Sequence, residues 1–181
     1  MTTDEPARVT TAWNRIQAWL RGHAPVSYAT LQPGAGPEEL AELEAATGSA
    51  LPPGLQALWL CSNGSGGPMA WGDPEEEAMA RAFLPEGDTF VSASAARLLY
   101  GFHTRLEFYD RTWIPFAAYD PDGFTGLFVN ATPGDNYGQV GLWNHKDRTV
   151  PEGPLLSAFL EDAADKLERG VWRPHAPGED D

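Results

Sequence analysis

The chain has 181 residues, 42% of them apolar, which is enough for one sizeable core and too little for two ordinary domains. Twelve basic residues stand against 26 acidic ones, a net charge of −14, and Lys146 and Lys166 are the only lysines. The clustered cations that grip a phosphate backbone are missing, which excludes nucleic-acid binding. A lone cysteine, Cys61, allows no internal disulfide, the opening "MTTDEPARV" carries no apolar leader, and no apolar run nears the ~20 residues of a membrane span. The expectation is a cytoplasmic protein with no membrane partner.

In chain order, residues 1–8 read as a flexible N-terminus. Val9, Trp13, Ile16 and Leu20 then recur at helical spacing and predict a helix over 9–21. A second helix is expected over 37–47: Pro37 suits the first turn, Glu38 and Glu39 suit the positive end of the helix dipole, and Gly48 suits the stop. A third, short helix over 53–61 buries Leu55, Leu58 and Trp59 and closes at Asn63-Gly64. The glycines at 64, 66 and 67 follow a helix and have no lysine, so they lack the strand–turn–helix order of a phosphate loop. Residues 64–90 hold six acids against Arg81 and read as a variable acidic surface loop with a short helix or edge strands. Residues 94–108 are expected to be helical, capped by Ser92 or Ser94, with Ala95, Leu98, Leu99, Phe102 and Leu106 turned inward.

The pattern then changes period. "WIPFAAY" (113–119), "TGLFVNA" (125–131) and "QVGLWNH" (139–145) read as strands, separated by the turn sequences "DPDG" and "TPGDNYG". Three sequential strands with short turns make an antiparallel meander. A closing helix over 154–169 turns Leu156, Phe159, Leu160, Ala163 and Leu167 inward, Gly170 ends it, and 173–181 reads as a disordered acidic tail. The fold class is therefore α+β, a single domain over 9–172 whose antiparallel sheet is packed by N-terminal, middle and C-terminal helices.

Chemistry-bearing residues are sparse. His23, His103, His145 and His175 share no metal-ligand spacing, and a surface role is the default for each; His145, near a strand end, is the one to watch. Cys61 has no evident base beside it and reads as a buried structural thiol. Asp120, Asp122 and Asp135 fall in turns, where Asp is expected on conformational grounds alone. A carboxylate pair there is nonetheless the minimum that glycoside hydrolysis requires. No metal and no cofactor are called for. Trp71, amid acids, has the character of an interface anchor.

Three stretches in order carry a resemblance: "PGAGPEELAELEAATGSALPPGLQALWLCSNG" (33–64), "WIPFAAYDPDGFTGLFVN" (113–130) and "GQVGLWNHKDRTVPEGPLLSAFLEDAADKLERGVW" (138–172). Together they resemble the SUKH superfamily, in the branch of the fungal cell-wall-assembly regulators of Smi/Knr type. The resemblance implies a single α+β domain without known enzymatic chemistry. Many bacterial members of that superfamily look like immunity proteins that neutralise toxins. The family pattern usually carries an acid in the second strand, where this chain has Asn130.

The preferred functional expectation is a non-enzymatic, immunity-like binding protein whose acidic surface occludes a basic toxin domain. Its partner-binding candidates are Trp71, Asp73, Glu75, Glu76 and Glu77 in the acidic loop, and Asp120, Asp122 and Asn130 in a groove beside the meander. A regulatory or scaffold role in cell-wall or envelope synthesis is the alternative. A hydrolase using Asp120 or Asp122 ranks third.

Overall fold

The structure is a computed structural model that describes residues 4–66, 74–106, 109–120, 123–146 and 153–174; for Glu75 and Glu76 it describes the backbone alone. Helix α1 runs over Glu5–His23, with Pro6 in its first turn and Val9, Ala12, Trp13, Ile16 and Leu20 buried along one face. It begins four residues before the periodic stretch, so residues 5–8 form its first turn and are not a free arm. Helix α2 (Pro25–Thr30) is too short to leave a periodic signal. Helix α3 covers Pro37–Thr47 and stops at Gly48 in the left-handed conformation, with φ 70°.

Helix α4 (Pro53–Cys61) buries Leu55, Leu58 and Trp59. The segment after it, Ser62 to Ser65, is a strap stitched to both sides. The Ser62 hydroxyl donates to the Gln32 carbonyl (2.9 Å), the Gln32 N–H donates to the Gly64 carbonyl (2.9 Å), and the Ser65 N–H donates to the Phe90 carbonyl (2.9 Å). Gly64 has φ 83°, and a Cβ there would lie 2.6 Å from the Ser92 nitrogen, so two backbones meet where only glycine fits. Asn63 completes the junction. Its Nδ2 donates to Glu39 (2.7 Å) and its Oδ1 accepts from the Ala93 N–H (2.9 Å), tying α3 to the start of the helix over 93–103.

Within the acidic region, helix α5 spans Glu75–Arg81, a 3-10 turn spans Pro85–Gly87, and strand β1 is Thr89–Phe90. Helix α6 (Ala93–His103) is capped by the Ser92 hydroxyl, which accepts from the Ala95 N–H. Strands β2 (Trp113–Ala118), β3 (Thr125–Asn130) and β4 (Val140–Asn144) follow, then helix α7 (Leu156–Glu168). The sheet is antiparallel throughout, in the order β1-β2-β3-β4. The register between β2 and β3 shifts between Pro115 and Ala117, where the proline has no N–H to give the ladder.

Helices cover both faces of the sheet, which is why β3 reads as a continuous apolar run. On one face Phe116, Leu127, Val129 and Val140 join the large core shared with α1, α4 and α7. On the other, Tyr100, Tyr109, Phe128 and buried Trp143 form a smaller aromatic cluster, with half-buried Trp113 stacked on Phe128 at 4.5 Å. Two expectations fail on α6. The helix ends at His103 rather than 108, and its inward face is Ala95, Ala96, Leu99, Tyr100 and His103. Leu98 (72% exposed) and Phe102 (42% exposed), one turn apart, point to solvent. The sequence offers apolar residues on more than one face of this helix, and the sheet can cover only one of them.

Candidate binding surface

Of the acidic-loop candidates, Trp71 and Asp73 lie outside the described residues, as does Asp122 in the β2–β3 turn. Glu75, Glu76 and Glu77 open α5 behind Pro74, where carboxylates suit the positive helix end. The helix is held down by buried Ala78 and Ala80, and the Ser65 hydroxyl donates to its last carbonyl, that of Arg81 (3.1 Å). Glu77 projects outward with its side chain 63% exposed, 3.6 Å from the Arg81 guanidinium. At this exposure such a pair neutralises little of the local field.

Four residues further on, a tight turn adds more acid. The Gly87 N–H donates to the Leu84 carbonyl (3.0 Å), and Glu86 between them is held at φ 71°, unusual for a residue with a side chain. Asp88, only 5% exposed, has no hydrogen-bond donor to its carboxyl group among the described residues. Burial first, then the neighbouring charges of Glu86 and Asp120, push its pKa from 3.8 up to about 7. Asp120 has a different environment. Its Oδ1 accepts from the Phe124 N–H (2.8 Å) and its Oδ2 from the Thr125 N–H (2.9 Å), so both oxygens fasten the β2–β3 turn. As a nucleophile or base, as the hydrolase reading requires, Asp120 would act while each of its oxygens also holds one backbone N–H of that turn.

Asn130 stands at the opposite end of β3 from Asp120, separated by a strand some 17–20 Å long. Its Oδ1 accepts from the Thr132 N–H (2.8 Å), an Asx turn that starts the β3–β4 connection. Asp120 and Asn130 therefore do not share a groove. The concavity beside the meander lies at the Asn130 end: a cleft of about 720 Å³ where the starts of α1, α4 and α7 meet the β3–β4 connection. Leu55, Val129, Leu155 and Leu156 give it apolar walls, with Tyr137 at the side. Gly54 lets α4 close on α1, since a Cβ there would come 3.0 Å from Glu5 Cγ and 3.3 Å from Val9.

Charged residues ring the mouth of this cleft. Glu5 accepts from both the N–H (2.8 Å) and the hydroxyl (2.7 Å) of Ser157 and so caps α7 from a distance of 152 residues in sequence. Arg8 forks onto Glu161 through Nε (3.0 Å) and a terminal nitrogen (2.7 Å). The hydrogen bonds from Arg8 hold the Glu161 carboxyl below its ordinary pKa. Asp4 sits at the N-cap of α1 with φ 50° and ψ 50°, and its carboxylate makes no cap hydrogen bond. Sequence reasoning missed the cleft because its lining comes from five separate segments. The visible trace was the prolines at 6, 52 and 53, which mark helix starts without showing that those starts converge.

The histidines and the cysteine fit structural roles with two changes from expectation. His103 is buried, not superficial: its Nε2 lies 2.6 Å from the Gly123 carbonyl, and burial lowers its pKa. Cys61 is half-buried, its Sγ 3.8 Å from the Thr10 hydroxyl. His145 is exposed, its ring 4.9 Å from that of Phe124. Among the described residues no three His, Cys, Asp or Glu side chains are grouped to hold a metal ion, and no helix is long and apolar enough to cross a membrane. No curated relative matches the chain. The model described as SMI1 / KNR4 family (SUKH-1) matches residues 34–162, from the loop before α3 to the middle of α7 and well over half of the chain, and the chain belongs to that family.

Proposed function

We propose that this chain is a non-enzymatic, cytoplasmic protein-binding domain of the immunity type, which neutralises a basic toxin domain by covering its active surface. The observation that carries the reading is α5. A helix opening with three consecutive glutamates is anchored by small buried alanines, and Glu77 is presented to solvent on a chain with a net charge of −14. Held carboxylates on a strongly acidic protein speed encounter with a cationic partner and reject anionic ones. Membership of the SUKH family supports a binding role of this kind or a regulatory one. The acidic residues Asp73 and Glu75–Glu77, with Trp71 as aromatic anchor, are proposed as one part of the surface, and Asp120 and Asp122 as another. Asn130, at the far end of β3, is the residue after Val129, which lines the cleft.

The test is co-expression with the toxin encoded beside the gene. The wild-type chain is expected to protect, and the combined Glu75→Gln, Glu76→Gln, Glu77→Gln variant to protect poorly. If wild type and variant both fail against a basic neighbouring toxin, immunity is the wrong reading. A regulatory role in envelope synthesis then replaces it, with a cell-wall phenotype on deletion as its signature.

A further inference from the structure

We infer that the cleft between the starts of α1, α4 and α7 is an anchor site for a basic–apolar side-chain pair: a lysine or arginine of a partner beside an aromatic or aliphatic residue. This rests on the protein-binding function proposed above and names what one of its surfaces accepts. The volume, about 720 Å³, is in the range that holds a drug-sized group, ample for one large side chain and the stem of another. The apolar walls at Leu55, Val129, Leu155 and Leu156 supply the driving force, because water held against them is released when an apolar group enters.

The sign of the partner's charge follows from the mouth. Among the described residues three carboxylates, Asp4, Glu5 and Glu161, stand there against one cation, Arg8. They differ in availability. Glu5 is spent on Ser157. Glu161 is shared with Arg8, but in a pair whose side chains are 39% and 44% exposed, and a surface pair of that kind holds weakly enough for a second cation to compete. Asp4 is the available group. It occupies an N-cap, where Asp normally accepts from the first turn, yet it makes no such bond and is exposed. A cation carried in over the apolar floor meets Asp4 first and Glu161 next, whereas an anionic side chain meets repulsion from both. Asp4, Glu5 and Arg8 precede the span matched by the family model, whereas Glu161 lies within it, so the mouth combines residues from both sides of that boundary.

The test titrates the isotope-labelled full chain with the blocked dipeptide N-acetyl-Trp-Arg-amide and follows backbone amide shifts. Saturable shifts are expected at Gly54, Leu55, Gly138 and Leu156. N-acetyl-Trp-Glu-amide should bind at least about tenfold more weakly, and Asp4→Asn should weaken the arginine peptide about threefold. Thr11→Trp, at an exposed position on the α1 wall, fills the cleft and should abolish the titration while leaving distant amides in place. The inference is overturned by absent shifts at those amides, by equal binding of the two peptides, or by undiminished binding to Thr11→Trp. If a basic toxin docks through α5 while the cleft titration is absent, protein binding stands and only the cleft is lost.

Discussion

Replacing Asp88 with asparagine should stabilise the protein at alkaline pH and leave it nearly unchanged in acid. Asp88 is buried with no hydrogen-bond donor to its carboxyl among the described residues, and it feels the charges of Glu86 on its own turn and of Asp120 in the β2–β3 turn. Its folded pKa is about 7, whereas the unfolded chain releases the same proton near 3.8. Between those values the folded state binds more protons than the unfolded state, so stability falls as pH rises and levels off above the folded pKa. At about 1.4 kcal/mol per pH unit, a rise of roughly three units sets an upper bound of ~4 kcal/mol. Relaxation of the turn and water reaching the carboxylate discharge part of this, so ~2–3 kcal/mol is the expected gain for Asp88→Asn at about pH 8.5. At about pH 4 the wild-type carboxyl is already neutral, and the two proteins should agree within ~0.5 kcal/mol. Glu39 and Glu161, whose pKa values are lowered by their hydrogen bonds with Ser94 and Arg8, give an opposite slope at lower pH, but they do so in both proteins and cancel in the difference. Urea unfolding across this range measures the difference directly. A difference that stays flat with pH would refute the reasoning, because a buried, like-charged carboxyl cannot be pH-silent.

Leu58→Ala should cost ~2–5 kcal/mol in chemical denaturation, since Leu58 is fully buried in the shared core; a loss under about 0.5 kcal/mol would place α4 outside it. Gly64→Ala should cost at least ~2 kcal/mol, because it combines a strained φ with a methyl group driven into the backbone at Ser92; an unchanged melting curve would show that the strap can slide. For a purified toxin partner, the triple glutamine change on α5 should slow association and flatten its salt dependence with under ~0.5 kcal/mol change in stability, while Trp71→Ala should chiefly speed dissociation. Surface plasmon resonance at two ionic strengths separates the two effects, and identical association at low salt would remove α5 from the interface.

Much of this fold was legible because local chemistry and tertiary demand agree. Pro37 and Gly48 bound α3 in sequence and in structure, Ser92 caps α6, and the aromatic and branched runs at 113–119, 125–131 and 139–145 are adjacent strands. The misreadings share a cause. Leu98 and Phe102 are apolar, but which face of α6 meets the sheet is decided by where β2 lies, and no property of the helix alone encodes that. His103 looked superficial for the same reason: its place under the Gly123 carbonyl depends on a turn twenty residues away. Likewise Asp120 and Asn130 are ten residues apart in sequence, one in the β2–β3 turn and the other at the end of β3. The strand that runs straight between them carries them to opposite ends of the sheet.

Charge behaves differently from packing in this respect. An excess of acid is visible in the composition, but its functional weight depends on which carboxylates are already occupied. Asp120 holds two backbone amides, Glu5 holds Ser157, Glu39 holds Asn63 and Ser94, and Asp88 favours its proton up to about neutral pH. These acids serve the fold and offer a partner little. Glu77, exposed and engaged only in a loose surface pair with Arg81, and Asp4, exposed and making no cap hydrogen bond, face solvent, one on α5 and the other at the mouth of the cleft. A binding domain that must meet cationic partners without unfolding itself needs this separation. Carboxylates spent inside can keep their geometry only if others, held on rigid helices, take the partner's charge.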